Sequence, residues 1–243
     1  MSSVKKQKIK GAPVIADDAV LHEHINFYRR LNAEEKQRFR EEADQFLQTV
    51  AITPVNTTVT NADRILIAAG AVIPMFAFKG WTYPNLKEVL VYNDTFNMDF
   101  QTESSESRNI LGLVGTGVYK DKMMISRNAL QNGFSNDADL SNTAIHEFVH
   151  LIDGADGAVD GVPEILLDKQ YVEPWISLVR EEMGKMLQED SDINPYGYTN
   201  PTEFFAVISE YFFEKPEQFA EKHPELFEMM ERIFRTGEGK VKS

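Results

Sequence analysis

The sequence predicts an α+β fold in which a small mixed sheet packs against a mainly helical C-terminal half. Three observations predict it. Segments with strand character, Lys87 to Tyr92 and Val118 to Ser126, are confined to the first half. From residue 136 onward, apolar residues recur at helical spacing between Asn, Gly and Pro signals. No internal repeat and no linker divides the 243 residues, a length that suits one domain or one with a small appendage. The expected organisation is a flexible basic arm over 1–13, a single domain over 14–236 and a flexible tail over 237–243.

The elements follow in chain order. Lys5, Lys6, Lys8 and Lys10 give the arm its charge. Asn32 with Glu35 forms a capping-box pattern that starts a helix. Phe39, Ala43, Phe46, Leu47 and Val50 then recur on one face of it. Ile65 to Ala77 reads as a second, more apolar helix broken at Pro74. Lys87 to Tyr92 alternates and is rich enough in β-branched residues for a strand. The Ser and Glu cluster over 101–109 reads as a loop or hairpin tip, and Val118 to Ser126 as a second strand. Leu140, Ala144, Phe148, Leu151 and Ile152 make one helical stripe closed by Asp153-Gly154. Pro174 opens a helix carrying Trp175, Leu178, Val179, Met186 and Leu187. Asn200-Pro201 opens another that contains Phe204, Phe205, Val207, Ile208, Phe212 and Phe213. Pro216 and Pro224 stand where short helices begin.

Composition excludes several functions. With 25 Lys and Arg against 38 Asp and Glu, the formal charge is −13, so nucleic acid is not an expected partner. There is no cysteine, which removes disulfide scaffolds and thiolate metal sites. The most apolar stretch, Ile65 to Phe78, is too short to span a bilayer and is interrupted by Gly70 and Pro74. No apolar segment follows the basic start, so an export signal is not expected. A reducing compartment, the cytoplasm, is the expected location.

The chemistry concentrates in His146-Glu147-Phe148-Val149-His150, an H-E-x-x-H pattern. Four residues apart on a helix, the two imidazoles share a face and reach one metal ion. Glu147 stands beside them, placed to take a proton from water. A catalytic zinc usually has a third protein ligand, and without cysteine this must be a carboxylate or another histidine. His22, His24 and His223 lie in polar segments. Glu203 and Glu210, seven residues apart and so on one helix face, are the better candidates. Spacing leaves Glu203 open, since Asn200-Pro201-Thr202-Glu203 is also a capping box. Glu210 is either a partly exposed helix glutamate or the partner of a ligand histidine's free ring nitrogen.

Tyr196-Gly197-Tyr198-Thr199-Asn200-Pro201-Thr202-Glu203-Phe204-Phe205-Ala206 resembles the third-ligand segment of lethal-factor-type zinc metallopeptidases, where a tyrosine precedes the glutamate ligand by seven residues. The wider pattern is closer to the Mlc titration factor A family of bacterial zinc peptidases. His146 to Asp153, Asp160-Gly161-Val162-Pro163, and Pro201 to Phe213 with the following Pro216 carry that resemblance. It is dense from about 140 to 225 and weak before that.

The resemblance implies a zincin-like metallopeptidase domain of the gluzincin kind. One Zn²⁺ per chain would be held by His146, His150 and Glu203, with Glu147 as general base. Tyr196 would donate to the carbonyl oxygen as it gains charge, with Tyr198 as the substitute. Asp153 either orients a ligand or caps a turn, and Asp160 to Pro163 either lines the cleft or is a plain turn. The implied activity is peptide hydrolysis, aminopeptidase-like on short peptides. Chain order and the resemblance also place Met123 to Ser126 beside the cleft, offering its edge to an extended peptide. A second reading is a non-catalytic regulator that sequesters a transcriptional repressor. An intact Glu147 argues against it, because a structural metal site needs no general base.

Overall fold

A computed structural model of the chain describes residues 16–94, 112–114, 121–135, 141–186 and 191–235. The basic arm, the tail, the 101–109 loop, the first residues of the Val118 strand, Leu140 and Leu187 lie outside these.

The chain begins with two short helices, α1 (Asp18–His24) and α2 (Asn26–Arg30), followed by α3 (Ala33–Thr49). At α3 the expected capping box is formed in both directions, Asn32 to the Glu35 N–H and the Glu35 side chain to the Asn32 N–H. Phe39, Ala43, Phe46 and Val50 are buried as their spacing requires. Strand β1 (Ala51–Val55) leads to α4 (Asn61–Met75). A second capping box, Thr60 with Asp63, starts α4 ahead of its apolar run. Pro74 sits in its last turn, and the helix ends one residue later. Every residue of α4 from Ile65 to Met75 is buried.

Strands β2 (Glu88–Tyr92), β3 (Gly112–Val114) and β4 (Lys122–Ser126) complete a four-stranded sheet of order β1-β2-β4-β3. β1, β2 and β4 run parallel, and β3 is antiparallel to β4, so the sheet is small and mixed. Its register fixes one expectation as wrong. Met123 to Ser126 is not an edge: β4 is bonded to β2 on one side, and its Met123 to Ile125 stretch to β3 on the other. The strand that borders the cleft from the sheet's end is β3.

Helix α5 (Arg127–Ser135) follows β4 directly, and α6 (Thr143–Asp153) carries the histidine motif. α7 (Lys169–Met186) begins five residues before Pro174. The Asp168 carbonyl starts its first turn by accepting from the Tyr171 N–H at 2.8 Å, and the exposed Pro174 lies within the helix rather than opening it. A 3-10 turn over Pro195–Tyr198 precedes α8 (Pro201–Glu214), α9 (Pro216–Lys222) and α10 (Pro224–Phe234), each with proline at its first position. One hydrophobic cluster joins α3, α4, the sheet, α6 and α8. No helix among the described residues is long and apolar enough to cross a membrane.

Candidate active site

The site is built where α6 meets the first turns of α8. Asn142 caps α6, its side-chain oxygen accepting from the Ile145 N–H at 3.2 Å. Its amide donates to the Gly133 carbonyl at 3.2 Å and to Glu214 at 2.8 Å. The Asn142 backbone N–H donates to Glu210 Oε2. The start of α6 is thus tied to α8 before the motif begins. Burial of Ala144, Ile145, Phe148, Val149 and Ile152 fixes the rotation of the helix. His146 and His150 then lie together on the remaining face, their rings 4.6 Å apart between centroids.

The Glu203 side chain does not complete a capping box. Asn200 alone does the capping, accepting from the Glu203 N–H at 2.9 Å. The Glu203 carboxylate turns to the histidines, with Oε2 2.9 Å from His146 Nε2 and 3.4 Å from His150 Nε2. One donor atom from each of the three residues lies within 4.8 Å of the others. Ligands at zinc bond lengths in a tetrahedron sit about 3.3 Å apart, so this set could close on one ion. Glu210 Oε1 meets the other ring nitrogen, His146 Nδ1, at 2.7 Å. It holds the ring orientation, and with a metal ion on Nε2 it would keep the proton on Nδ1.

The electrostatics point the same way. Burial alone would lower the pKa of His146, but hydrogen bonds with Glu203 and Glu210 outweigh it and hold the imidazole at about 10. Burial would raise the Glu203 carboxyl, but His146 and His150 bring it down to about 2. Burial raises the pKa of Glu147, against the pull of both histidines. Three carboxylates around two imidazoles demand positive charge. A proton on His146 answers that demand, and a dication held on neutral imidazoles would answer it more fully. Imidazole and carboxylate donors without thiolate suit zinc. Glu147 Oε2 and His150 Nδ1 are buried and find no partner among the described residues. An unpartnered carboxylate oxygen is chemically available to a water or a substrate.

Tyr196 comes to the rim. Its N–H donates to Asn194 at 3.0 Å in the 3-10 turn. Its ring lies 6.0 Å from the His146 ring, and the residue is 54% exposed. Tyr198 is also exposed, and among the described residues no hydrogen bond or ring contact joins it to the histidines. Asp153 caps a turn rather than touching a ligand. Both its oxygens accept from the Gly161 N–H, at 3.1 and 2.9 Å. The Gly161 carbonyl accepts from Trp175 Nε1 at 2.7 Å. Gly161 has φ +81°, and a Cβ there would sit 2.4 Å from the Pro201 carbonyl oxygen. Asp160 to Pro163 is therefore a strut that fixes the end of α6, α7 and the start of α8. His22 and His24 lie on α1, and His223 pairs with Asp192 at 2.8 Å.

Two participants carried no signal in the sequence. Asn142 looks like any polar residue before a helix. Gly112, on β3, packs against Glu147 so closely that a Cβ would fall 2.5 Å from Oε1.

Comparison with known proteins gives a family match. The sequence model described as glucose-regulated metallo-peptidase M90 matches residues 2–235. An uncharacterized protein of Synechocystis sp. is 28% identical over 226 residues, covering 89% of this chain and 82% of its own. A protein named Mlc titration factor A from Pectobacterium atrosepticum is 29% identical over 222 residues, covering 84% and 80%. Another of that name from Serratia proteamaculans is 27% identical over 224 residues, covering 84% and 81%.

Proposed function

The chain belongs to the glucose-regulated metallo-peptidase M90 family, and from that premise we propose that it is a zinc-dependent peptidase, aminopeptidase-like on short peptides. The observation that carries the reading is the convergence of His146, His150 and Glu203 donors within 4.8 Å, with the Glu147 carboxyl alongside. His146, His150 and Glu203 hold one Zn²⁺. When bound, zinc supplies Lewis acidity, which acidifies water and polarises a carbonyl. Glu147 takes the proton as water adds to the peptide carbonyl and returns it to the leaving amine. Glu210 keeps His146 oriented. The Tyr196 phenol donates to the carbonyl oxygen as negative charge gathers there.

The test is Glu147→Gln, which is nearly isosteric but accepts no proton. It is expected to keep its zinc and lose turnover by about 10²–10⁴-fold. Near-wild-type turnover would remove Glu147 from the mechanism. Free against N-terminally blocked chromogenic peptides decide between exopeptidase and endopeptidase action.

A second reading draws on the name of the relatives, Mlc titration factor A. A protein of this kind could act by binding a transcriptional repressor. Glu147→Gln separates the two, since sequestration would survive it intact.

A further inference from the structure

We propose that Gly112 is a positioning residue for the general base: its missing side chain lets the edge strand wall the Glu147 carboxylate into place beside the histidines. The inference rests on the peptidase reading above.

Gly112 stands opposite Ile125 in the antiparallel β3–β4 pair. Directly opposed residues share a face of the sheet, and Ile125 is fully buried. Position 112 therefore projects to the face that Ile125 occupies, and a Cβ built there finds Glu147 of α6. It would lie 2.5 Å from Oε1, 2.6 Å from Cγ and 2.7 Å from Cδ. Three atoms of the base thus occupy the space that any other residue would need.

The backbone offers no rival reason for glycine. Gly112 is not among the residues with positive φ, so alanine could adopt its conformation. Within a strand alanine would lose less entropy on folding than glycine does. The three atoms nearest to that Cβ all belong to Glu147. Glu147 in turn has little else to orient it. It is 5% exposed, and Oε2 has no hydrogen-bond partner among the described residues. Where no hydrogen bond aims the carboxylate, the strand backbone limits where it can go.

The test is Gly112→Ala in the zinc-loaded protein. Zinc content and KM are expected to hold, while turnover falls by about 10²–10⁴-fold, the usual worth of a general base. A crystal structure of the variant should show the Glu147 carboxylate moved from the histidines. An unmoved carboxylate or unchanged turnover would overturn the proposal. A thermal-melting cycle with Glu147→Ala gives an answer independent of catalysis. Any loss of melting temperature on Gly112→Ala must vanish in Gly112→Ala/Glu147→Ala, where the clashing atoms are gone. A loss that persists would mean that Glu147 is not what position 112 accommodates. If the peptidase reading itself fails, wild type and Glu147→Gln will have equal turnover, while the crystal structure and the melting cycle still decide the contact.

Discussion

The residues of the site divide into those a local pattern can reveal and those only packing can. His146 and His150 are one helical turn apart, so their common face follows from spacing. Glu203 could not be assigned that way, because a cap and a ligand have the same sequence signature at that position. The fold separates the roles by giving the cap to Asn200 and the carboxylate to the histidines. Glu210 meets His146 across 64 positions of sequence, a distance no local spacing encodes. Glu210→Gln keeps an acceptor for the Asn142 N–H but loses the charge behind His146. Zinc affinity is expected to fall by about 10–100-fold, read by competition with a chelator. Tyr196→Phe should act in the opposite sense. Its ring lies at the rim, 6.0 Å from the His146 ring, and in the proposed mechanism its hydroxyl acts only as the carbonyl oxygen gains charge. Turnover should drop by about 10²–10³-fold with zinc affinity unchanged. Equal, near-wild-type turnover in Tyr196→Phe and Tyr198→Phe would leave the oxyanion to other groups.

Among the elements, legibility tracked the strength of local signals. α3 and α8 have strong caps and strong apolar periodicity, and they begin where those signals place them. β1 was hidden because Pro54 interrupts a five-residue run; proline is tolerated there because β1 is an edge strand. β3 is three residues long, too short for any periodicity, yet it borders Glu147. α7 starts before its proline because Asp168, not Pro174, sets its first turn. The strut at Gly161 was visible only as an Asp-Gly turn. Its function depends on what lies above it, the Pro201 carbonyl at the head of α8. Gly161→Ala is therefore expected to cost at least about 1–3 kcal/mol for the left-handed backbone alone. The clash with Pro201 adds to that and shifts the turn that presents Glu203. Urea unfolding should show the stability loss and metal titration a weakened site. A variant with wild-type stability and wild-type zinc affinity would show that α8 is held without this strut.

For the whole molecule, the question is how the C-terminal helices stay on the core of a chain with a formal charge of −13. Aromatic packing does most of it: Phe205 and Phe212 each stack on Phe234, and Phe213 meets it edge-on. Asp192 adds a polar clamp just before the 3-10 turn. It accepts from Tyr211 of α8 at 2.5 Å, from Gln218 and Lys222 of α9 at 3.3 and 2.8 Å, and pairs with His223 at 2.8 Å. Burial alone would raise its pKa, but the bonds from Lys222, Tyr211 and His223 outweigh it and hold the carboxyl well below the usual value of 3.8. The folded state binds this proton less readily than the unfolded state, so the clamp's stabilisation is fully present above the unfolded pKa. It is lost as pH falls through the depressed folded value. Asp63 behaves alike: burial would raise it, but bonds from Thr60, Arg127 and Gln131 lower it. Stability should therefore hold down to about pH 4 and fall steeply below it. Asp192→Asn should be less stable than wild type at neutral pH and show a shallower acid limb. The two proteins should converge at the lowest pH, where the wild-type carboxylate is protonated as well. Urea midpoints from pH 7 to 2 on both would decide it. A constant offset between them across that range would mean that the clamp acts through packing rather than through the charge on Asp192.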